Sequence, residues 1–431
     1  MAGFLALLAG WAWYVHVDDS DAWLYRTVVR NMVADNTWLD LRYLPSVHPK
    51  FREHLPFGFW PYALAQRVSD LGPIVLGWLA SVATLGLLAR RSLLAAFFLG
   101  TTASFFELAA TARLDQLLVL ATTAGGLALL EDQRPWRAWL VAAVCGAAGV
   151  AVKGPFGLVP IAAITLSRVV AERRPVLLLP ALGVAVVSLA GPVLFLFHSW
   201  RIGGDWYSGY FETQLLASAI GSRMDGSPSA LEPWLTLGRR FWPWLPLSLW
   251  ALWQTRRRPE LRVLAGSIVL MLLALGLPGR KVWNHALLVF PFLSLWLARS
   301  LETSRFEALS RPAARALAVV TALGLVVVLL ARPRLGTCVL SPEAVAYSRA
   351  HEPEALAVVK PREGSPWKPI AVLAGEYGTV PRLVASLEEA AVSSSTAVLT
   401  RDDAPGWSCG DSKGWRLCPR SGGGQEGLQN P

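Results

Sequence analysis

The sequence predicts a polytopic α-helical membrane protein, and three observations carry that class. The 431 residues are 54% hydrophobic and only 16% charged, too apolar for an ordinary soluble domain. Runs of about 20 apolar residues, the length that crosses the hydrocarbon as a helix, recur at 1–17, 72–89, 92–111, 115–131, 136–152, 155–171, 176–198, 241–254, 260–277, 282–299 and 314–331, giving eleven expected spans. Basic residues gather in alternate short loops: Arg90 and Arg91; Arg134 and Arg137; Arg173 and Arg174; Arg256, Arg257 and Arg258; and Arg299, Arg305, Arg311 and Arg315. Placing those loops in the cytoplasm satisfies the positive-inside rule throughout.

The opposite face then receives the 18–70 loop, the turns near Asp115, Lys153 and Arg280, the 199–240 loop and the tail from about residue 332. A transmembrane domain over 1–331 and an extracytoplasmic domain over 332–431 are expected. The formal net charge of +10 follows from this topology and from attraction to anionic headgroups, so membrane lipids are the expected partners and nucleic acid is not. The first apolar run, MAGFLALLAGWAWYVHV, lacks a basic leading region and reads as an uncleaved helix.

Directly after it stand Asp18, Asp19 and Asp21, where carboxylates are costly to bury and two readings fit. They are candidates for work on a substrate at the membrane edge, or caps for the helix that AWLYRTVVRNMV predicts. That helix sets Trp23, Val28 and Met32 against Arg26 and Arg30, and PFGFWPYALAQRV repeats the amphipathic, aromatic-rich character, so both are expected to lie in the interface.

Arg113 and Asp115 fall at one outer helix boundary and Lys153 at another, before Gly154 and Pro155. Each alone reads as a snorkelling anchor or a cap; together, at separate helix ends on one face, they read as the rim of a shared cavity. The 199–240 loop carries Tyr210, Glu212, Arg223 and Asp225 around a Gly-rich centre that suggests a mobile segment, and it re-enters the membrane with Trp242 and Trp244 as expected belt residues. Arg280, Lys281 and His285 form a further cluster, either anchoring or anion-binding.

In the tail, LAVVK, PIAVLAG and TAVLT read as short strands and PRLVASLEEAAV as a helix, which suggests a small α/β domain. Cys338, Cys409 and Cys418 have no zinc-like spacing; Cys409 and Cys418 bracket GDSKGWRL and are expected to close a small disulfide loop.

Taken in order, these motifs resemble the protein mannosyltransferase and lipid A aminoarabinose transferase group of the GT-C membrane glycosyltransferases. The resemblance runs through Asp21-Ala22, Tyr25, Arg30-Asn31-Met32, Asn36-Thr37-Trp38, His54-Leu55-Pro56 before Trp60, Arg113-Leu114-Asp115, Lys153-Gly154-Pro155, Tyr210-Phe211-Glu212 and Lys281 to Pro291, over nearly all of residues 1–300. Ala22 stands where the family carries Glu, and His54 where it carries Lys. The resemblance implies a sugar donor carried on a polyprenyl phosphate, a protein, lipid or glycan acceptor, and inverting transfer on the outer face of the cytoplasmic (inner) membrane. It implies Asp21 as base, with Asp115 as second acid and Asp19 as an auxiliary carboxylate. Lys153, Arg280, Lys281, His54, His285 and Arg113 would hold the donor phosphate, and Tyr25, Tyr210 and Glu212 would meet the acceptor. No cofactor is implied with certainty, and a divalent metal stays open. A lipid-linked-sugar transporter or flippase, or a non-catalytic binder of such lipids, is the competing class; a transporter calls for charges at the membrane midplane.

Overall fold

The computed structural model describes residues 20–43, 50–109, 111–131, 134–222, 226–241, 244–302 and four strands in the tail. The chain groups into two compact units, one of Met1–Val15 with Arg52–Leu329 and one of His16–Phe51 with Leu330–Pro431.

In the second unit, helix α1 (Ser20–Ala34) carries Asp21 in its first turn, where a carboxylate complements the helix dipole. The helix is more deeply buried than an interfacial helix would be: Tyr25, Val28, Val29 and Met32 are buried, and so is Arg26. Asn31 ties the helix to the segment behind it through a hydrogen bond from Nδ2 to the Tyr43 carbonyl. The strands β1 (Leu356–Val359), β2 (Arg382–Val384), β3 (Ala397–Thr400) and β4 (Arg416–Pro419) form one sheet in the order β2-β1-β3-β4. The first three are parallel and β4 is antiparallel to β3. β1 and β3 fall on LAVVK and TAVLT, whereas β2 occupies the start of the expected helix PRLVASLEEAAV, where pairing with β1 outweighs local helix propensity. PIAVLAG lies outside the described residues. Cys418 in β4 is buried and disulfide-bonded, its partner also outside them.

The first unit is helical: α2 (Trp60–Val68), α3 (Gly72–Ala89), α4 (Leu93–Gly100), α5 (Ala103–Leu108), α6 (Leu114–Glu131), α7 (Pro135–Lys153), α8 (Val159–Glu172), α9 (Leu178–Arg201), α10 (Ala217–Ile220), α11 (Glu232–Arg240), α12 (Leu245–Arg257), α13 (Pro259–Gly276) and α14 (Phe290–Glu302). Among the described residues five helical runs are long and apolar enough to cross a membrane: α3, α6, the run Pro135–Glu172, Pro175–Arg201 and α13. The expected spans 1–17 and 314–331 lie outside the described residues.

Three other expected spans are interrupted. The 92–111 run divides into α4 and α5, because the hydroxyls of Thr101 and Thr102 donate back to the carbonyls of Phe97 (2.7 Å) and Phe98 (2.8 Å) at the helix end. In the 241–254 run the described helix is Leu245–Arg257, and 282–299 opens with a 3-10 segment, Trp283–Leu288. Trp244 is also no belt residue: it is buried against Phe98, ring centroids 4.9 Å apart, and its indole N–H donates to Thr101 Oγ1 at 3.1 Å. Trp242 lies outside the described residues.

The 199–240 loop is mostly helical. α9 runs to Arg201, a π-helix spans Tyr207–Leu216, and α10 and α11 follow. Ser208 and Thr213, five apart, are joined by a 2.8 Å bond from the Thr213 hydroxyl to the Ser208 carbonyl, a spacing that the wider π turn accommodates. Arg223 and Asp225 fall outside the described residues.

Candidate active site

α6 begins at Leu114, so Asp115 occupies its first turn; α7 ends at Lys153, so the ammonium group sits at a helix C-terminus. Each charge has the sign its helix end favours. Gly154 follows Lys153 with φ +61° and ψ −146°, a backbone region essentially confined to glycine. The chain turns there, and Pro155 and Pro160 open the 3-10 turn Gly154–Leu158 and α8.

This geometry collects the charges. Lys153 Nζ donates to Asp115 Oδ1 at 2.7 Å, and Arg113 Nε donates to Asp115 Oδ2 at 3.0 Å. Asn284 Nδ2 donates to Asp115 Oδ1 at 3.0 Å. All four side chains are buried, Asp115 to 1% exposure, so Arg113 and Lys153 are not snorkelling anchors. Two cations facing one carboxylate leave the cluster formally one positive charge in excess. A buried ion cluster seldom stabilises a fold better than apolar packing would. Lys153 has spent one of three N–H donors on Asp115 and retains capacity for an anion.

Around the cluster, the Tyr62 hydroxyl donates to the Arg113 carbonyl, closing the same corner from α2. Burial first, and then the negative charge of Asp115, push the Tyr62 phenol above its ordinary pKa, so it stays protonated. His285, next to Asn284, lies against Phe156 of the 154–158 turn with ring centroids 4.0 Å apart, and within electrostatic reach of Asp115. Tyr210 is buried, its oxygen so close to Gly154 that a Cβ there would stand 2.4 Å from it. The 3-10 turn Pro56–Phe59, two residues beyond His54, packs on the end of α7, where a Cβ on Gly58 would meet the Val152 backbone at 2.9 Å. His54 itself is half-buried, 6.4 Å from the Phe59 ring.

The other expected residues sit elsewhere. Lys281 Nζ donates to the Pro228 carbonyl at 3.0 Å, and Arg280 Nε to that of Gly221 at 3.2 Å. Their backbone zips onto the 218–227 segment, with Ser227 N to Lys281 O and Lys281 N to Ser227 O both at 2.9 Å. Glu212 is exposed on the π-helix. Asp21 and Tyr25 belong to the other compact unit, Tyr25 buried edge-on to Phe51 at 6.5 Å. Asp19 lies outside the described residues. Among the described residues no group of three or more His, Cys, Asp or Glu side chains is placed to hold a metal ion.

Asn284 and Tyr62 were not singled out in the sequence. Asn284 neighbours His285, so the 281–285 cluster carried a weak signal for it; Tyr62 reads there only as an interfacial aromatic.

No protein-family model and no curated protein matches the sequence. Two crystal structures of ArnT from Cupriavidus metallidurans, one bound to undecaprenyl phosphate and one in the apo state, are similar in structure. Each has a TM-score of 0.66 over 97% of both chains, at 18% and 17% identity respectively. The chain therefore shares the fold of these ArnT structures.

Proposed function

We propose that the protein is an integral-membrane glycosyltransferase that moves a sugar from a polyprenyl-phosphate donor to an acceptor hydroxyl, with inversion. The observation that carries this reading is the buried, net-positive cluster of Arg113, Asp115, Lys153 and Asn284 at the ends of two membrane-length helices. Undecaprenyl phosphate bound in one ArnT structure supports the donor class. The eleven-span topology, the outer-face site in the cytoplasmic membrane and the extracytoplasmic tail domain belong to the same proposal.

In transfer from such a donor, the bond between the anomeric carbon and the phosphate oxygen breaks while the acceptor oxygen bonds to that carbon. Negative charge collects on the departing phosphate. Fixed cations in a water-poor site stabilise that charge without reorganising, which is the role assigned to Lys153 and Arg113. Asp115, already accepting from three donors, positions those cations more than it accepts a proton. The acceptor's proton goes to a carboxylate base, a role worth roughly 10²- to 10⁴-fold; motif order assigns it to Asp21.

Purified protein incubated with a labelled polyprenyl-phosphate sugar and membrane acceptors should yield a labelled protein, lipid or glycan, and which of these is labelled reads out the acceptor class. The Asp21→Asn variant should insert and fold but not transfer. Movement of the donor across a bilayer without transfer would overturn the enzyme reading.

A further inference from the structure

We propose that the turn joining α12 to α13 binds the headgroup of an anionic phospholipid carrying two phosphodiesters, in the leaflet at the Glu131 end of the bundle. The inference is independent of the sugar donor and of its acceptor.

Residues 256–262, RRRPELR, set four arginines against one acid, Glu260. Arg256 and Arg257 close α12, Arg258 is extended, and Pro259 opens α13. Arg262 Nη2 donates to the Arg256 carbonyl at 3.2 Å, which folds the first turn of α13 back onto the end of α12. The Arg257 guanidinium lies 3.8 Å from the centroid of the Trp253 ring, itself 4.8 Å from that of Trp250. Stacking therefore orients this cation without consuming its charge. Among the described residues Arg256, Arg257 and Arg262 form no ion pair, and all three are exposed. At the same end of the bundle Arg91 and Arg299 are both taken up by Glu131. The shared end is fixed by α14, where the Trp296 indole N–H donates to Thr255 Oγ1 at 2.9 Å, one turn before Arg299.

General attraction to a membrane surface needs only charge, and this corner has more. Leu249, Leu252, Trp253 and Arg256 stand at i, i+3, i+4 and i+7 on α12 and so share one face, and all four are exposed. An apolar stripe that ends in arginine meets the acyl chains and the phosphate of one lipid together, as basic pockets between membrane helices do. Each guanidinium fork pairs with phosphate oxygens bidentately. Three unpaired forks exceed what one phosphodiester engages, which selects a headgroup with two.

The test is native mass spectrometry of lipid binding to the intact protein, with cardiolipin, phosphatidylglycerol and phosphatidylethanolamine as probes. Wild type is compared with Arg256→Gln/Arg257→Gln/Arg262→Gln and with Arg137→Gln/Arg173→Gln/Arg174→Gln, which removes equal charge from other basic loops. An unchanged thermal transition verifies folding of both variants. Wild type should bind cardiolipin tightest; the first variant should weaken it by roughly 10²-fold, and the second should stay within about threefold of wild type. Equal losses in the two variants, or cardiolipin affinity within about threefold of wild type in the first, would overturn the site. Phosphatidylglycerol bound by wild type as tightly as cardiolipin would overturn the two-phosphate assignment.

Discussion

Helix α6 holds one carboxylate near each end, each gripped by two cations, and the two ends differ in nearly everything else. At the N-terminal end Asp115 meets Arg113 and Lys153 with almost no exposure of any of the three. At the C-terminal end, 16 residues and about 24 Å along the axis, Glu131 meets Arg91 and Arg299, whose side chains keep 31% and 35% exposure. Arg168 joins that end through a 2.8 Å bond to the Leu129 carbonyl. Charge count is therefore a poor guide to role, and burial is a better one. Water screens the Glu131 pairs, so they contribute little beyond tying these helix ends to the turn at Arg91. Around Asp115 the same charges interact in a low dielectric, where they can act on a substrate and where losing one leaves the others uncompensated.

The largest effect is expected at Asp115. Asp115→Asn leaves two buried cations without their counterion, so transfer should fall by at least 10²-fold, with a stability loss of about 3–5 kcal/mol measured by thermal unfolding. Next is Lys153→Met, which leaves Asp115 paired with Arg113. It should abolish the preference for phosphate-bearing over neutral polyprenyl lipid while lowering stability less than Asp115→Asn does.

An intermediate case sharpens the contrast. Arg52 Nε donates to Asp205 Oδ1 at 2.9 Å, and its guanidinium lies 4.3 Å from the Trp206 ring centroid. Asp205 is a third exposed. This clamp fixes the turn that leads into the Tyr210 π-helix, so Asp205→Asn should cost a few-fold in kcat with little change in KM for the donor. The smallest effect belongs to Glu131→Gln: transfer unchanged and at most about 1 kcal/mol of stability lost.

What could be read before the structure follows the same physical division. Apolar length and loop charge are local properties, so α3, α6, α7, α8, α9 and α13 were legible within a few residues. Arg113, Asp115 and Lys153 were legible as residues at helix ends, but their mutual pairing is a tertiary fact that sequence spacing does not encode. The same holds for Asn284, which reaches Asp115 across 169 positions. Arg280 and Lys281 show the converse: their charge suggested anion binding, while in the fold their hydrogen bonds hold the 218–228 segment. The 199–240 stretch read as a loop because its glycines obscure helical periodicity; Gly203 and Gly221 take positive φ at breaks between helices and leave the helices themselves intact.

The buried end of α6 is proposed as the reacting end and the exposed end as structural. The most direct measurement is transfer from a labelled polyprenyl-phosphate sugar by wild type, Asp115→Asn and Glu131→Gln, side by side in the same nanodiscs. Wild type and Glu131→Gln should give product at equal rates, and Asp115→Asn at least 10²-fold less. Wild-type transfer by a folded Asp115→Asn variant would contradict that assignment.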